Sequence, residues 1–320
     1  MRQQQRALAM TGYFDKGKTT RRERFLAEME RVVPWQRLYA VIAPHYPKGS
    51  AAGGRPPLPL ERMFRIYCLQ QWYNLSDPGA EEALYDSLTM RRFAGVHTDA
   101  DVIPDETSIL NFRRLLEKHE LTARLLAQIN THLAERGLLV GKGTILDATI
   151  VSAPSSTKNE KKQRDPEMHQ TRKGKQWYFG MKVHTGTDVD SGLVHTVQGT
   201  SANVADVNVL GELLHGEEQS LHGDSAYHCQ ELQAQAEACG IDFNVNRRGT
   251  RHRPLTDAQR RRNRRFSRVR AIGEHPFLVV KRLWGHAKVR YRGIAKNLAQ
   301  MRALFGLANL YRVRYHLLSP

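Results

Sequence analysis

Apolar residues recur at helical spacing through the first 136 positions, and no stretch of this part predicts a strand. Several of the predicted helices begin with a capping residue, such as Thr20, Ser76 or Asp105. A Gly/Pro-rich stretch at 49–57 predicts a flexible linker or loop after the first helix. The pattern therefore predicts an all-helical N-terminal region, with helices at 20–33, from about 60, from 76, from 105, and at 121–136.

The pattern changes at Gly143, where β-branched and apolar runs replace the helical spacing. Strands are predicted at 144–151, 178–185, 193–199 and 220–224. The turn residues at 186–192 predict that the middle two strands pair as an antiparallel hairpin. A polar, lysine-rich loop is predicted at 155–175, and helices at 204–214, 231–239 and 294–311. This succession predicts an α/β fold with a mixed sheet.

Positive charge is concentrated in the last quarter of the chain. Residues 244–320 hold 20 Lys and Arg against two acids, Asp257 and Glu274, which is a local net charge of +18. The other 243 residues hold 29 basic and 30 acidic residues and are close to neutral. A segment this one-sided predicts a polyanion-binding surface. We expect nucleic acid as the partner; an anionic membrane surface, or a solvated face without a partner, are the alternatives.

Composition excludes several classes of protein. With 40% hydrophobic and 25% charged residues, the 320-residue chain is typical of globular proteins. No apolar run approaches the roughly 18 residues of a membrane span, and no secretory signal is predicted at the N-terminus. The three cysteines, Cys68, Cys229 and Cys239, are too few and too scattered for a disulfide framework. We therefore expect an intracellular protein with no membrane segment, located in the cytoplasm.

Two aspartates follow or interrupt predicted strands. Asp147 lies within an otherwise apolar strand, where a carboxylate is costly unless it sits at the strand end with a partner or a metal ion. Asp224 lies where a strand enters a turn, between small residues that leave room for a ligand. The alternative is structural: Asp147 would cap the following turn, and Asp224 would cap the next helix.

Glu274 is the only acid between Asp257 and the C-terminus. It is either a catalytic carboxylate or a counterion within the basic segment. Spacings of four, three and four place Arg270, Glu274, Phe277 and Lys281 on one face if the segment is helical. Pro276 would kink such a helix, so a second possibility is a helix that starts near Glu274, with Arg270 on the preceding loop.

Three oxygen ligands without a nearby His/Cys set suit Mg²⁺ or Mn²⁺. Two such ions can activate a water or a 3′-hydroxyl and stabilise the leaving oxygen in phosphodiester chemistry. A zinc site is disfavoured, because Cys229 and Cys239, with His222 and His228, do not have a zinc-ligand spacing. The chain also lacks the sequence motifs of nucleotide hydrolysis, dinucleotide binding and triad hydrolysis.

Short blocks of residues occur in a fixed order along positions 1–306. In the first half they are Gly54-Arg55-Pro56-Pro57, 71–77, 91–93, 104–107 and 112–113. In the second half they are 145–149, 180–184, 223–227 and 270–277, with Lys281 closing the last block. Any one block is weak evidence of membership in a protein family, whereas the whole set in this order is strong evidence. The chain resembles the bacterial DDE transposases of the insertion-sequence-five family.

This resemblance implies a ribonuclease-H-like fold, in which a mixed sheet flanked by helices follows the all-helical N-terminal region. It implies that Asp147, Asp224 and Glu274 form the catalytic, metal-binding triad, and that Arg270 and Lys281 hold phosphates. Where this chain has Gly273 the family often has a larger residue, and we expect the glycine to loosen the backbone beside Glu274. Residues 242–268 resemble a short basic insertion, whose DNA-binding candidates are suited to phosphate contact and not base readout: Arg260, Arg261, Arg262, Arg264 and Arg265.

The implied organisation is a helical region at 1–136, for end recognition or dimer contacts, and a catalytic domain at 137–320. The implied function is a DNA transposase that binds the terminal inverted repeats of an insertion sequence, cleaves at the element ends and joins the 3′-hydroxyls to target DNA. It would use two Mg²⁺ or Mn²⁺ ions, act on double-stranded DNA in the bacterial nucleoid, and form at least a homodimer on DNA. The alternatives are a catalytically inactive DNA-binding relic and a ribonuclease-H-fold nuclease without strand transfer.

Overall fold

The computed structural model describes residues 18–49, 56–97, 101–160 and 162–319. Within these ranges, the chain before Gly143 forms helices and no strand, as predicted. The predicted linker at 49–57 falls mostly outside the described residues, which exclude 50–55. The helices are α1 (Arg21–Val32), α2 (Trp35–Ile42), α3 (Leu60–Tyr73), α4 (Asp77–Asp86), α5 (Leu88–Phe93), α6 (Glu106–Lys118) and α7 (Leu121–Glu135).

Side-chain caps fix the predicted helix starts. The Thr20 hydroxyl accepts from the Glu23 amide at 3.1 Å, and the Glu23 carboxylate accepts from the Thr20 amide at 3.4 Å, which is a capping box. The Ser76 hydroxyl and the Asp105 carboxylate each accept from the amide three residues later and so cap α4 and α6. Helices α2 and α5 were not predicted, because both are short and α2 has no capping side chain.

A six-stranded sheet forms the second half of the fold. Strand β3 pairs antiparallel with β1 along one edge; along its other edge it pairs antiparallel with β2 near its start and with β4 further on. On the far side of β1, β5 and then β6 run parallel to it. The strands are β1 (Gly143–Ser152), β2 (His169–Lys173), β3 (Gln176–Asp188), β4 (Val194–Ser201), β5 (Ser220–Gly223) and β6 (Asp242–Val245). Three consecutive antiparallel strands (β4, β3 and β1) are followed by two parallel ones (β5 and β6), and β2 is added on β3. This order gives the predicted ribonuclease-H-like mixed sheet.

Three stretches differ from the sequence prediction. The predicted lysine-rich loop contains strand β2, which pairs with β3. Its polar sequence gives no strand pattern. The predicted helix at 204–214 is a 3₁₀ turn (Asp206–Val209) followed by the four-residue α8 (Leu210–Leu213). The range assigned to a basic insertion, 242–268, begins with β6, which belongs to the sheet because it pairs with β5.

The helices after β5 are α9 (Gln230–Ala238), α10 (Asp257–Arg270), α11 (Glu274–Leu278) and α12 (Ile294–Leu318). A 3₁₀ turn joins α10 to α11, and a π turn (Val279–Leu283) follows α11. Arg270 is therefore the last residue of α10, and the alternative that placed it on a loop is wrong. Hydrogen bonding changes from 3₁₀ to α to π around Pro276, which accommodates the missing N–H of that residue.

One hydrophobic core joins the N-terminal helices, one face of the sheet and α12. At its centre the fully buried Asn309 of α12 donates to Asn130 of α7 at 3.0 Å and to the carbonyl of Val194 at 2.7 Å. Gly306 allows α12 to approach α7 closely, since a Cβ there would lie 3.0 Å from Ile129. The last helix thus packs against both parts of the chain, and the division at residue 136 stays a prediction.

Within the described ranges, no helix has the length and apolar content needed to cross a bilayer. The three cysteines are free thiols.

Candidate active site

A cleft opens where β1 and β5 diverge. The two strands pair from Gly143–Ser220 to Ile145–His222. Asp147 lies two residues beyond the last pair on β1, and Asp224 follows the end of β5 at the same level. Both carboxylates, together with Glu274 and Arg270, line a cleft of about 770 Å³. Residues separated by up to 127 positions in the sequence therefore share one site.

Asp147 is held within the sheet and not at the end of its own strand. It pairs with Thr185 in the middle of the β1–β3 ladder, and its side chain is 16% exposed. Its carboxylate accepts from the Ala148 amide at 2.9 Å. Burial raises the pKa of Asp147 to about 6, and the negative charges of Asp224 and Glu274 add to this shift, while the Ala148 amide and Arg270 oppose it. The structure thus places a rigid carboxylate where a cation would stabilise it.

Asp224 closes a turn and does not cap a helix. Its carboxylate accepts from the Ala226 amide at 2.8 Å, and its carbonyl accepts from the Tyr227 amide at 3.2 Å. The next helix, α9, begins after Cys229 and has no side-chain cap. The helix-cap alternative for Asp224 is therefore wrong, and the turn directs this residue to the cleft.

Glu274 begins α11, and its side chain is 60% exposed. Arg270, one turn earlier on the same face, lies 3.7 Å from the Glu274 carboxylate and 4.0 Å from that of Asp147. The guanidinium therefore lies between the strand-borne acid and the helix-borne acid. The spacing predicted the pairing of Arg270 with Glu274 on one face, but not the approach of Arg270 to Asp147.

Lys281 connects the helical segment to β1. Its ammonium donates to the Thr149 hydroxyl at 2.9 Å and to the Ile150 carbonyl at 2.6 Å. Burial, and then the nearby charge of Lys173, lowers the pKa of Lys281. Through these two hydrogen bonds the Lys281 side chain braces β1 just beyond Asp147.

Gly273 lies against strand β1. A Cβ at this position would lie 2.8 Å from the Cγ2 atom of Ile145 on β1. The glycine is buried and allows the 3₁₀ turn to pack directly on the strand. The glycine therefore allows the turn before Glu274 to approach β1 closely, and its effect on the mobility of the backbone beside Glu274 stays a prediction.

The five arginines of the predicted phosphate-binding run are exposed along α10, whose one buried residue, Phe266, packs at the sheet side. Among them only Arg260 is seen with an acid, Asp257, at 3.3 Å, in the part of the chain that the structure describes. The helix ends at Arg270 in the cleft. The run is thus an exposed cationic surface on the helix that ends at the site.

Lys182, Asp206 and Tyr227 are among the cleft residues that the sequence did not single out as site candidates. Lys182 donates to Asp206 at 2.9 Å and to the Val204 carbonyl at 2.7 Å, and both members of this ion pair line the cleft. The Tyr227 hydroxyl is buried and has no hydrogen-bond partner among the described residues, and burial raises its pKa. Lys182 and Tyr227 lie in blocks that carried the family resemblance, whereas nothing in the sequence around Asp206 distinguished it.

The donor set suits a hard divalent cation, because the cleft offers carboxylate oxygens and one of them is buried. Within the described ranges, no three His, Cys, Asp or Glu side chains already surround a common point. Arg270 lies between two of the carboxylates, so a metal ion would enter as this side chain moves aside. Within these ranges the zinc candidates His222, His228, Cys229 and Cys239 do not have metal-binding geometry either.

Comparison with known families gives two matches. Residues 139–310 match a family model described as "Transposase DDE domain". Residues 15–115 match one described as "Transposase domain (DUF772)". A similar solved structure is the "Cryo-EM structure of piggyBac transposase synaptic complex with hairpin DNA (SNHP)", with a TM-score of 0.45 and 8% sequence identity, covering 90% of this chain and 72% of that chain.

Proposed function

This chain belongs to the DDE transposase family, whose domain model matches more than half of its length, and we propose that it mobilises an insertion sequence of the insertion-sequence-five family. It binds the terminal inverted repeats of the element, cleaves the DNA at the element ends and joins the freed 3′-hydroxyls to target DNA. The observation that carries the proposal is the convergence of Asp147, Asp224 and Glu274 on one cleft.

Asp147, Asp224 and Glu274 are the residues that would hold Mg²⁺ or Mn²⁺. Two such ions, when bound, supply an activated water or 3′-hydroxyl and stabilise the leaving oxygen. The protein's part is to hold the carboxylates in place: the sheet fixes Asp147, a turn fixes Asp224, and packing at Gly273 positions Glu274.

Arg270 changes partners in this mechanism. Without DNA it neutralises Asp147 and Glu274. When a phosphate enters the cleft, the guanidinium turns toward it, because charge-assisted bonds to phosphate are strong and bidentate. Lys281, which now bonds to β1, provides a second cation near the reacting phosphate.

The arginine run on α10 supplies sequence-independent affinity for the phosphate backbone of duplex DNA. Joining two element ends requires at least two protomers, so a homodimer or larger assembly forms on the DNA. The N-terminal helices provide end recognition or dimer contacts. The reaction takes place on the bacterial nucleoid.

Cleavage by aspartate variants tests this proposal. Asp147→Asn keeps the shape of the side chain but removes the charge that a divalent ion needs, so duplex binding should persist while nicking of end DNA in Mg²⁺ is lost. Asp257→Asn removes an exposed carboxylate of α10 outside the cleft and is the matched control. Nicking by Asp147→Asn at the wild-type rate would overturn the triad assignment.

The same assay separates the two alternatives. A wild-type chain that binds end DNA and never nicks it is an inactive relic. A chain that nicks, but never joins 3′-ends to plasmid DNA, is a nuclease without strand transfer.

A further inference from the structure

The β2–β3 hairpin, residues 169–179, extends beyond the rest of the sheet. Strand β3 pairs with β1 only from Gly180 onward, so residues 176–179 have β2 as their sheet partner. Gly174, with φ of +63°, forms the turn at the tip. Two-stranded ribbons are marginally stable on their own. A projecting ribbon of this kind is suited to a partner that covers it.

The charge of this hairpin has one sign. Between His169 and Phe179 there are three cations and no acid. The three cations, Arg172, Lys173 and Lys175, are all exposed. Arg172 bonds within the hairpin, donating to the carbonyl of Gly174 at 3.0 Å. The surface therefore favours an anionic partner.

Trp177 adds an aromatic surface to these cations. Its side chain is 63% exposed, whereas Trp35, Trp72 and Trp284 are 3–8% exposed. It lies directly opposite Arg172 in the β2–β3 register, so the two side chains share one face of the ribbon. An exposed tryptophan beside cations is suited to contact with nucleic acid, through the sugars and base edges as well as the phosphates.

The tip of the hairpin also borders the candidate active site. Thr171, Arg172, Lys173 and Gly174 line the cleft that contains Asp147 and Glu274. The positive charge of Lys173 contributes to the lowered pKa of Lys281, which bonds to β1 just beyond Asp147. A DNA strand that brings a phosphate to Asp147 therefore passes the hairpin tip.

We propose that the β2–β3 hairpin is a DNA-binding arm that enters the major groove of the duplex next to the scissile bond. A two-stranded ribbon fits the width of that groove. Arg172, Lys173 and Lys175 contact the phosphates on either side, and Trp177 packs against sugar and base edges within it. This assignment rests on the proposed function and adds a second DNA contact surface, separate from the arginine run of α10.

Acrylamide quenching of tryptophan fluorescence tests the arm on the unmodified chain, since Trp177 is the one well-exposed tryptophan. We expect that duplex end DNA, added in EDTA, covers Trp177 and abolishes most of the acrylamide quenching of the tryptophan fluorescence. The Trp177→Phe variant should lose the DNA-dependent change. Because EDTA removes metal chemistry, this result is independent of whether the chain cleaves DNA.

A salt titration provides the second measurement. Replacing Arg172, Lys173 and Lys175 with Gln should lower the slope of log affinity against log salt by about 0.9 for each lost phosphate contact. The matched control replaces three exposed cations that lie outside the N-terminal helices, the arginine run and the cleft: Lys142, Arg292 and Lys296.

Three outcomes would overturn the arm: unchanged quenching with duplex, an unchanged salt slope in the hairpin variant, or an equal decrease of the slope in the control variant. Protection of Trp177 by single-stranded DNA alone would overturn the groove assignment. Failure of the proposed function is a different result, namely no cleavage by the wild type in Mg²⁺ while the hairpin variant still shows its changed quenching and its lower salt slope.

Discussion

On the strand side of the cleft, Asp147 is buried in a ladder of backbone hydrogen bonds; on the helical side, Glu274 is mostly exposed at the start of a five-residue helix. The first carboxylate is rigid and is destabilised by its surroundings, as its raised pKa shows. The second is well solvated, and its position depends on contacts that other residues make. A site of this kind combines a fixed half with a half that is positioned by packing, and substitutions on the two sides should have different effects.

The largest effect on stability is expected at Gly273, where the helical side rests on the strand side. Gly273→Val should place side-chain atoms against Ile145 and destabilise the fold by about 3 kcal/mol, in the upper range for overpacked positions. Cleavage should fall as well, because α11 and Glu274 move away from β1. Urea unfolding and a nicking assay measure the two effects.

Gly211→Ala is the control for Gly273→Val, since a Cβ at Gly211 has no neighbour within 4 Å. It lies in α8 and should be neutral or slightly stabilising. Equal unfolding midpoints for wild type and Gly273→Val would show that the turn does not rest on Ile145.

Asp147→Asn should stabilise the metal-free protein while it removes cleavage. The folded state holds the Asp147 proton more tightly than the unfolded chain does, because the pKa rises from 3.8 to about 6. The cost of ionisation is therefore complete above about pH 6 and disappears below about pH 4. At neutral pH the variant should gain up to about 3 kcal/mol, since the pKa rises from 3.8 to about 6 and one pKa unit corresponds to about 1.4 kcal/mol.

Unfolding measured from pH 4 to pH 8 checks this prediction. The stability difference between Asp147→Asn and wild type should grow with pH and level off above about pH 6. Glu274→Gln, on the solvated side, should change stability by less than about 0.5 kcal/mol at any pH. A pH-independent difference for Asp147→Asn would contradict the burial of its charge.

The same contrast explains what could be predicted from the sequence. The strand side was visible because β-branched residues flank Asp147 and turn residues follow Asp224, so the local pattern marks both the element and the break in it. Arg270, Glu274 and Lys281 could be placed on one face by spacing alone. Their contacts could not, because the Lys281–Ile150 bond and the Gly273–Ile145 approach join segments more than 120 residues apart.

Short polar elements could not be predicted from the sequence either. Strand β2 has no alternation of apolar residues, and it exists because β3 offers a partner. Asp206 enters the cleft through its ion pair with Lys182, which no local signal indicates. In both cases tertiary pairing decided the structure and local propensity did not.

Lys281→Met should have an intermediate effect. The substitution keeps the apolar stem and removes the two hydrogen bonds to β1, so we expect a destabilisation of about 1–2 kcal/mol. Cleavage should fall in part, since one phosphate contact is lost while the carboxylates remain. Lys296→Met, at an exposed position of α12, is the control. Full retention of rate and stability would show that Lys281 neither braces β1 nor contacts DNA.

The smallest effect on the fold is expected on the surface of α10. Replacing Arg260, Arg261, Arg262, Arg264 and Arg265 with Gln should change the free energy of unfolding by less than about 0.5 kcal/mol, because all five are exposed. Affinity for random duplex should fall, and its salt slope should decrease by up to about 0.9 for each lost phosphate contact. An unchanged slope would show that this run faces solvent.

A combined variant tests whether α10 and the β2–β3 hairpin bind the same duplex. If they do, combining both sets of substitutions should lower the salt slope by the sum of the separate decreases, because each released counterion contributes independently. A combined decrease no larger than either alone would mean that the two surfaces bind DNA in alternative ways.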